Sequence, residues 1–400
     1  MSKILTVILS SLVALYIVEA LLISYAHHGE INSLEEKIKI YKDETGKEFD
    51  TRPFFKAYKE SKNNTHDLVP MIPVRESLEI DTGPYSLSNG ISNSMTMFCN
   101  ENGYYAKYLS DQYGFNNPDN QWDQKSIEYL LVGDSFVHGM CVNEDHTLSG
   151  NFRKMVNQGV LNLGNSGSGP LTQYATLREY LPLVNAKRII WVYFEGNDLL
   201  DLNYELKNKT LNSYLKDKKY TQQLFMKQNE IDARYRNIIE NILDKNHDQI
   251  EGFSSFMIPV KRFFKLVSLR VFIKNLYRPI KSNSLINHDT NYEKYRDIMR
   301  LVKDYAEENN SQLYFVYLPD YYRIVTNRLD DKELFGYQKV IGLTEELQIE
   351  TVDLNKEFLN ISYDLKSLYP FKKSGHLNNR GYSEVTILIN EVIKRNESQN

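Results

Sequence analysis

Ile127-Glu128-Tyr129-Leu130-Leu131-Val132-Gly133-Asp134-Ser135-Phe136 runs from a nearly unbroken apolar stretch into a glycine, an acid and a serine. An apolar run of this length, closed by a turn signal, reads as a strand buried on both faces of a parallel sheet. In open α/β sheets ligands bind beyond the carboxyl ends of the strands, so Ser135 stands where chemistry is done. A helix starting there would aim its free N–H groups and positive dipole end at developing negative charge. Taken alone, a Gly-Asp-Ser turn is more often just a turn with a capping side chain. Its meaning depends on what the rest of the chain brings to the same sheet edge.

Working outward, further strand-length apolar runs fall at residues 160–163, 188–194, 312–318 and 350–354. Between and after them lie stretches of helical length at 148–157, 171–184, 292–309, 332–347 and 381–394. This alternation predicts an α/β fold: a three-layer α/β/α sandwich with a five-stranded, mostly parallel sheet. The second strand ends in Asn162-Leu163-Gly164-Asn165-Ser166-Gly167-Ser168-Gly169-Pro170, whose glycines let backbone amides approach a ligand. The third runs into Glu195-Gly196-Asn197-Asp198 and places a side-chain amide at that edge. A hydroxyl, backbone N–H groups and a carboxamide together form the donor set that a tetrahedral oxyanion needs. Gly375-His376-Leu377-Asn378 precedes the last helix and supplies an imidazole able to serve Ser135 as general base.

Taken in order, these four blocks resemble the SGNH (GDSL-type) hydrolase superfamily over residues 127–202 and 292–394. The resemblance implies a flavodoxin-like sandwich with Ser135 as nucleophile and His376 as base. It places the oxyanion hole at the backbone N–H of Ser135, the backbone N–H of Gly167 and the side-chain amide of Asn197, with Asp134 as a structural member of its turn. One departure stands out. The family usually carries an aspartate two or three residues before the histidine, and here those positions are Ser374 and Lys373. The expectation is therefore a Ser-His dyad, helped by a carbonyl or by Asp364 or Asp353 folding back, or else a bystander that has lost turnover.

The rest of the chain divides into a segment 1–28, a stalk and irregular cap over 29–120, the first part of the sandwich over 121–202, a helical basic insertion over 203–289, and the second part over 290–400. Residues 4–25 are almost wholly apolar, long enough to cross a hydrocarbon core, and interrupted by Ser10, Ser11 and Glu19. Lys3 before this run keeps the amino terminus in the cytoplasm and sends the body outside. Ser24-Tyr25-Ala26 offers a cleavage site, so a secretory signal is the alternative to a single-pass anchor. Glu19 is costly in lipid; it faces a partner helix, lies near the interface, or, as the expected case, is tolerated there without a function. Lys261, Arg262, Lys265, Arg270, Lys274, Arg278 and Lys281 interleave with apolar residues such as Phe263, Phe264, Leu269 and Ile273, a pattern suited to an anionic membrane surface, to a cover over an active-site mouth or, as the expected case, to a core-facing helix whose cations meet solvent.

Lys+Arg of 48 against Asp+Glu of 52 gives no reason to expect a nucleic-acid partner. Cys99 and Cys141 lack metal-ligand spacing, so neither a metal nor a cofactor is expected. The two cysteines form either one disulfide or two thiols. The resulting expectation is an esterase or O-acyl (acetyl) transferase acting outside the membrane on acetylated cell-surface polysaccharide, as anchored relatives in the resembled superfamily do. The Tyr-rich cap over 103–113, with Trp122, would stack on sugar rings. A lipid esterase, favoured by the basic insertion, and an inactive glycan-binding scaffold are the alternatives.

Overall fold

The computed structural model describes residues 2–65, 67–80, 89–245, 263–276 and 288–398. The chain forms two compact units, one of residues 1–51 with 241–282 and one of residues 52–240 with 283–400.

The larger unit is built on a five-stranded sheet of β4 (Ile127–Val132), β5 (Gly159–Asn162), β6 (Ala186–Phe194), β7 (Gln312–Leu318) and β8 (Glu350–Asp353), in the order β5-β4-β6-β7-β8. Every neighbouring pair is parallel. The strand order reverses at β4, whose neighbours on either side are β5 and β6, and this is the switch point where open α/β sheets bind ligands. One face carries α5 (Leu148–Met155) and α15 (Asn379–Glu397), which bury Phe152, Tyr382, Val385 and Ile389 against Tyr129, Leu131, Ile190, Val316 and Val352. On the other, α6 (Pro170–Tyr180), α7 (Asp198–Glu205) and α11 (His288–Glu308) pack on one another, and Tyr295 of α11 meets the Tyr193 ring. The all-parallel sheet with helices on both faces is the three-layer α/β/α sandwich expected from the alternation of strand and helix in the sequence.

The cap expected to be irregular has its own order. It contains α2 (Phe54–Lys62), α3 (Val74–Ile80) and a small mixed sheet of β1 (Leu68–Pro70), β2 (Met95–Met97) and β3 (Lys107–Leu109). Three-residue strands carry too little alternation to show a period, which is why the sequence there looks featureless. The short α4 (Ser135–His138) begins at the catalytic-type turn. Residues 203–240 are part of the larger unit: α8 (Lys209–Lys216) and α9 (Gln228–Lys245) bury Leu211, Tyr214, Ile231 and Tyr235. The buried Glu179 carboxylate accepts the Gln222 and Leu224 N–H groups at 2.6 and 2.9 Å and so fixes the turn between these helices.

In the smaller unit α1 (Ser2–Thr45) continues through the apolar run and the charged stalk as one helix, whose segment Lys3–Ser24 is long and apolar enough to cross a membrane. It packs against α10 (Val267–Leu276). Of the basic positions expected to form a surface, Lys265 and Arg270 are exposed, whereas Lys261, Arg262, Arg278 and Lys281 lie outside the described residues. Glu19, expected to face a helix or an interface, is fully buried against α10.

Candidate active site

The turn after β4 is held from below. Asp134 is the N-cap of α4, its Oδ1 accepting the Phe136 N–H at 2.9 Å, and the helix closes on Gly139 in the left-handed conformation. Gly133 must lack a side chain, since a Cβ there would lie 2.5 Å from Val137 Cγ2 and 3.0 Å from the Val192 carbonyl oxygen. These constraints set Ser135 on the first residue of α4, 8% exposed, at the carboxyl end of β4. Burial pushes the Asp134 carboxyl up, while the Phe136 N–H and the His376 charge oppose the shift.

His376 comes from the loop before α15, which Asn378 caps by accepting the Gly381 N–H at 2.8 Å. Its Nε2 lies 2.9 Å from Ser135 Oγ. Its Nδ1 lies 3.0 Å from Oε1 of Glu101, and the Glu101 Oε2 accepts the His376 backbone N–H at 2.6 Å. With the ring proton on Nδ1, the imidazole donates to Glu101 and leaves Nε2 to accept from the serine, the tautomer a general base requires. Gly375 permits this approach, because a Cβ there would lie 2.7 Å from Glu101 Oε2.

The carboxylate missing from its usual place is thus met by Glu101 from the cap. Asp353 and Asp364, the residues expected to fold back, are engaged elsewhere. Asp353 caps the helix Leu354–Leu359 and accepts the Tyr337 hydroxyl at 2.6 Å, and Asp364 caps the turn at Leu365–Leu368 and pairs with Lys372 at 3.1 Å. Both are short-range caps, and each satisfies backbone N–H groups that would otherwise lack partners. Glu101 is carried to the site by the Cys99–Cys141 disulfide, with the Asn102 side chain donating to the Cys141 carbonyl at 3.0 Å. A signal for it existed in the sequence. Cys141 follows the nucleophile turn closely and Glu101 follows Cys99, so pairing the cysteines brings this acid beside Ser135.

The two other strand-end blocks lie around the same turn. Asn165 N–H and Ser168 Oγ donate to the Gly133 carbonyl at 3.2 and 3.3 Å, which anchors the glycine loop on the nucleophile turn. Gly167, at φ +72°, occupies left-handed backbone, and the loop's Ser166 carbonyl accepts the Val74 N–H at 2.8 Å. The Asn197 carboxamide hydrogen-bonds the Asp134 carboxylate, and Asn197 stands at the N-cap position of α7 without a side-chain cap bond. That contact leaves its second amide hydrogen available to an oxyanion.

His138, the other imidazole near the turn, is structural. Its Nδ1 accepts the Ser166 N–H at 3.1 Å and its Nε2 meets the Tyr108 hydroxyl at 3.0 Å, while burial pushes it down to about 3 and keeps it neutral. Of the cap aromatics, Tyr108 and Phe115 are buried, whereas Tyr104, Tyr105, Tyr113 and Trp122 keep part of their surface exposed; Trp122 donates to Asp111 at 2.7 Å and packs edge-on against Tyr113. Beside the glycine loop, Arg75 spreads over the Tyr204 ring at 3.8 Å and reaches Asp201 at 3.8 Å. Among the described residues, the only cluster with metal-ligand types close together is Cys99, Glu101 and Cys141, and its two sulfurs are joined in the disulfide.

No protein-family profile matches the chain, and no curated protein does. Solved structures similar to it include a G-D-S-L family protein, named as lipolytic, from Desulfitobacterium hafniense, at 14% identity and a TM-score of 0.34, covering 67% of this chain and 99% of that one. A two-domain esterase active on acetylated mannans is similar at 10% identity and a TM-score of 0.33, over 69% of this chain and 51% of that one. An acetyl xylan esterase is similar at 11% identity and a TM-score of 0.34, over 67% and 100%.

Proposed function

We propose that the chain is a serine-dependent ester hydrolase or O-acyl transferase whose working groups are Ser135, His376 and Glu101. The observation that carries this reading is the unbroken hydrogen-bonded series from Ser135 Oγ to His376 Nε2 at 2.9 Å and from His376 Nδ1 to Glu101 Oε1 at 3.0 Å. In the proposed reaction Ser135 Oγ attacks the ester carbonyl carbon as His376 Nε2 takes its proton. The carbonyl oxygen becomes an oxyanion facing the Ser135 and Gly167 N–H groups and the Asn197 amide. Collapse breaks the ester bond, and His376 returns the proton to the leaving alcohol. Water or a second alcohol then attacks the acyl-serine, gives its proton to His376, and releases the acid or the new ester as Ser135 recovers its hydrogen. Glu101 holds the ring and stabilises its charged form throughout.

We place this chemistry outside the cytoplasmic membrane with α1 as a single-pass anchor. A structural disulfide suits an oxidising compartment, and Lys3–Ser24 has the length and composition of a span. For the substrate we retain an acetylated surface polysaccharide, with Arg75 over Tyr204 as an exposed polar contact beside the glycine loop. A lipid ester is the second reading, favoured by the exposed Phe264, Lys265 and Arg270 of the smaller unit. A glycan-binding scaffold is the third reading, and the contact of Glu101 with His376 favours an enzyme over it. The test is release of acid from an aryl acetate by the full-length protein, wild type against Ser135→Ala, with and without an added alcohol acceptor. Loss of turnover in the variant supports the serine mechanism, and product ester formed with the alcohol supports transfer. Equal rates in both proteins refute it.

A further inference from the structure

We infer that residues 263–276 are themselves embedded in the bilayer, as a re-entrant element running beside α1 and held there by Glu19. This rests on the reading of α1 as a membrane span. The Tyr16 ring lies 5.4 Å from Phe263 and 6.2 Å from Phe264, and the Tyr16 hydroxyl donates to the Phe264 carbonyl at 3.3 Å. One turn further along α1, the Glu19 carboxylate accepts the Ser268 and Leu269 N–H groups at 2.9 and 2.6 Å. Both chains therefore advance in the same direction: as α1 goes from Tyr16 to Glu19, its partner goes from Phe263 to Leu269. Tyr16 stands eight residues inside Ser24, the end of the apolar segment, which at the rise of an α-helix is about 12 Å of depth. Phe263 and Phe264 share that depth, and α10 climbs back from it toward the surface.

This geometry explains Glu19. The first N–H groups of a helix have no partner within it, and in hydrocarbon each orphan costs several kcal/mol. A carboxylate at that end supplies two acceptors and the sign of charge the helix dipole favours, so an acid fully buried in an apolar span becomes the cap that lets a second helix start inside the bilayer. The occupant of the surrounding surface is phospholipid acyl chain. Phe264 is 65% and Ile273 43% exposed, and Leu9, Leu12 and Ile17 of α1 are 63%, 46% and 55% exposed. Phe263 also closes an apolar groove of about 420 Å³ along Leu12, Val13 and Tyr16. Lys265 and Arg270 are exposed, and their long stems allow the charged ends to snorkel to phosphate headgroups. A segment with such a contact to α1 also argues that α1 is retained, since cleavage at Ser24–Ala26 would remove Glu19 and strand the cap.

The test uses full-length protein in phosphatidylcholine–phosphatidylglycerol vesicles. Because Cys99 and Cys141 are joined, single nitroxide labels can be placed through Phe264→Cys, Ile273→Cys, Leu9→Cys and, as a water-exposed reference, Lys332→Cys. Relaxation by lipid-soluble oxygen is compared with relaxation by a water-soluble nickel chelate. The expected order is Leu9 and Phe264 oxygen-dominated, Ile273 shallower, and Lys332 nickel-dominated, with Glu19→Ala moving the Phe264 label toward nickel. A Phe264 label as open to nickel as Lys332, while Leu9 stays in hydrocarbon, overturns the inference but leaves the anchor standing. A nickel-accessible Leu9 removes the span itself and the inference with it.

Discussion

Replacing Glu101 by Gln keeps the shape of the contact to His376 and removes its charge. The heavy atoms are 3.0 Å apart, a separation at which unit charges interact by about 1.4 kcal/mol in bulk water and about 5.5 kcal/mol at an effective dielectric of about 20. The His376 and Glu101 side chains are 21% and 30% exposed, so the site lies between those limits. Taking about 3 kcal/mol as the loss for the imidazolium formed in the transition state, kcat/KM should fall on the order of 10²-fold in Glu101→Gln. Glu101→Ala also frees the ring from its tautomer and should cost roughly 10³- to 10⁴-fold. The assay is initial-rate hydrolysis of an aryl acetate across a substrate series, with thermal unfolding to confirm that each variant folds. If both Glu101 variants keep kcat/KM within about threefold of wild type while Ser135→Ala is dead, the carboxylate does not serve the base and the assignment fails.

Other outcomes follow from neighbouring features. Asp201 is pushed up to about 7 by burial and by Glu205 and Asp134, against the pull of Arg75; the folded protein then holds this proton where the unfolded chain has lost it, so its contribution is complete below about pH 4 and is lost as pH rises through about 7. Asp201→Asn should therefore be more stable than wild type at pH 8 by on the order of 1–3 kcal/mol, with the gap closing near pH 4, as read by urea unfolding at both values. Arg323 is fully buried against Glu195 and also donates to the Arg328, Asp331 and Leu334 carbonyls, so Arg323→Met should cost about 3–5 kcal/mol in the same experiment. Reducing Cys99–Cys141 should lower stability by about 3–4 kcal/mol and bring the wild-type rate toward that of Glu101→Ala, while the rate of Glu101→Ala itself stays unchanged.

What the sequence made legible, it did through continuity. The five strands are unbroken apolar runs because parallel strands are covered on both faces, and each was located to within about two residues. Ser135 and His376 were readable because each sits at a strand or helix boundary with a fixed local grammar. Glu101 has no such grammar. It lies in a loop without period, and its contact with His376 spans the length of the fold, so only the cysteine pairing pointed to it. Glu19 was visible as an anomaly in an apolar run, yet its partners are backbone N–H groups some 250 residues later, which no side-chain pattern announces. The contacts of Trp122 with Asp111 and Tyr113 were hidden for a related reason: an aromatic-rich cap reads alike whether its rings face a ligand or one another.

The disulfide also imposes an order on synthesis. Glu101 and Ser135 both lie between Cys99 and Cys141, so the bond can tie the one beside the other while most of the sheet is still to be made. The imidazole arrives only when the segment around α15 docks against α5, after β7 and β8 have joined the sheet. On the proposed mechanism, a nascent chain would thus carry a prepared but silent serine for most of its elongation, and its reactivity would switch on as a late folding event.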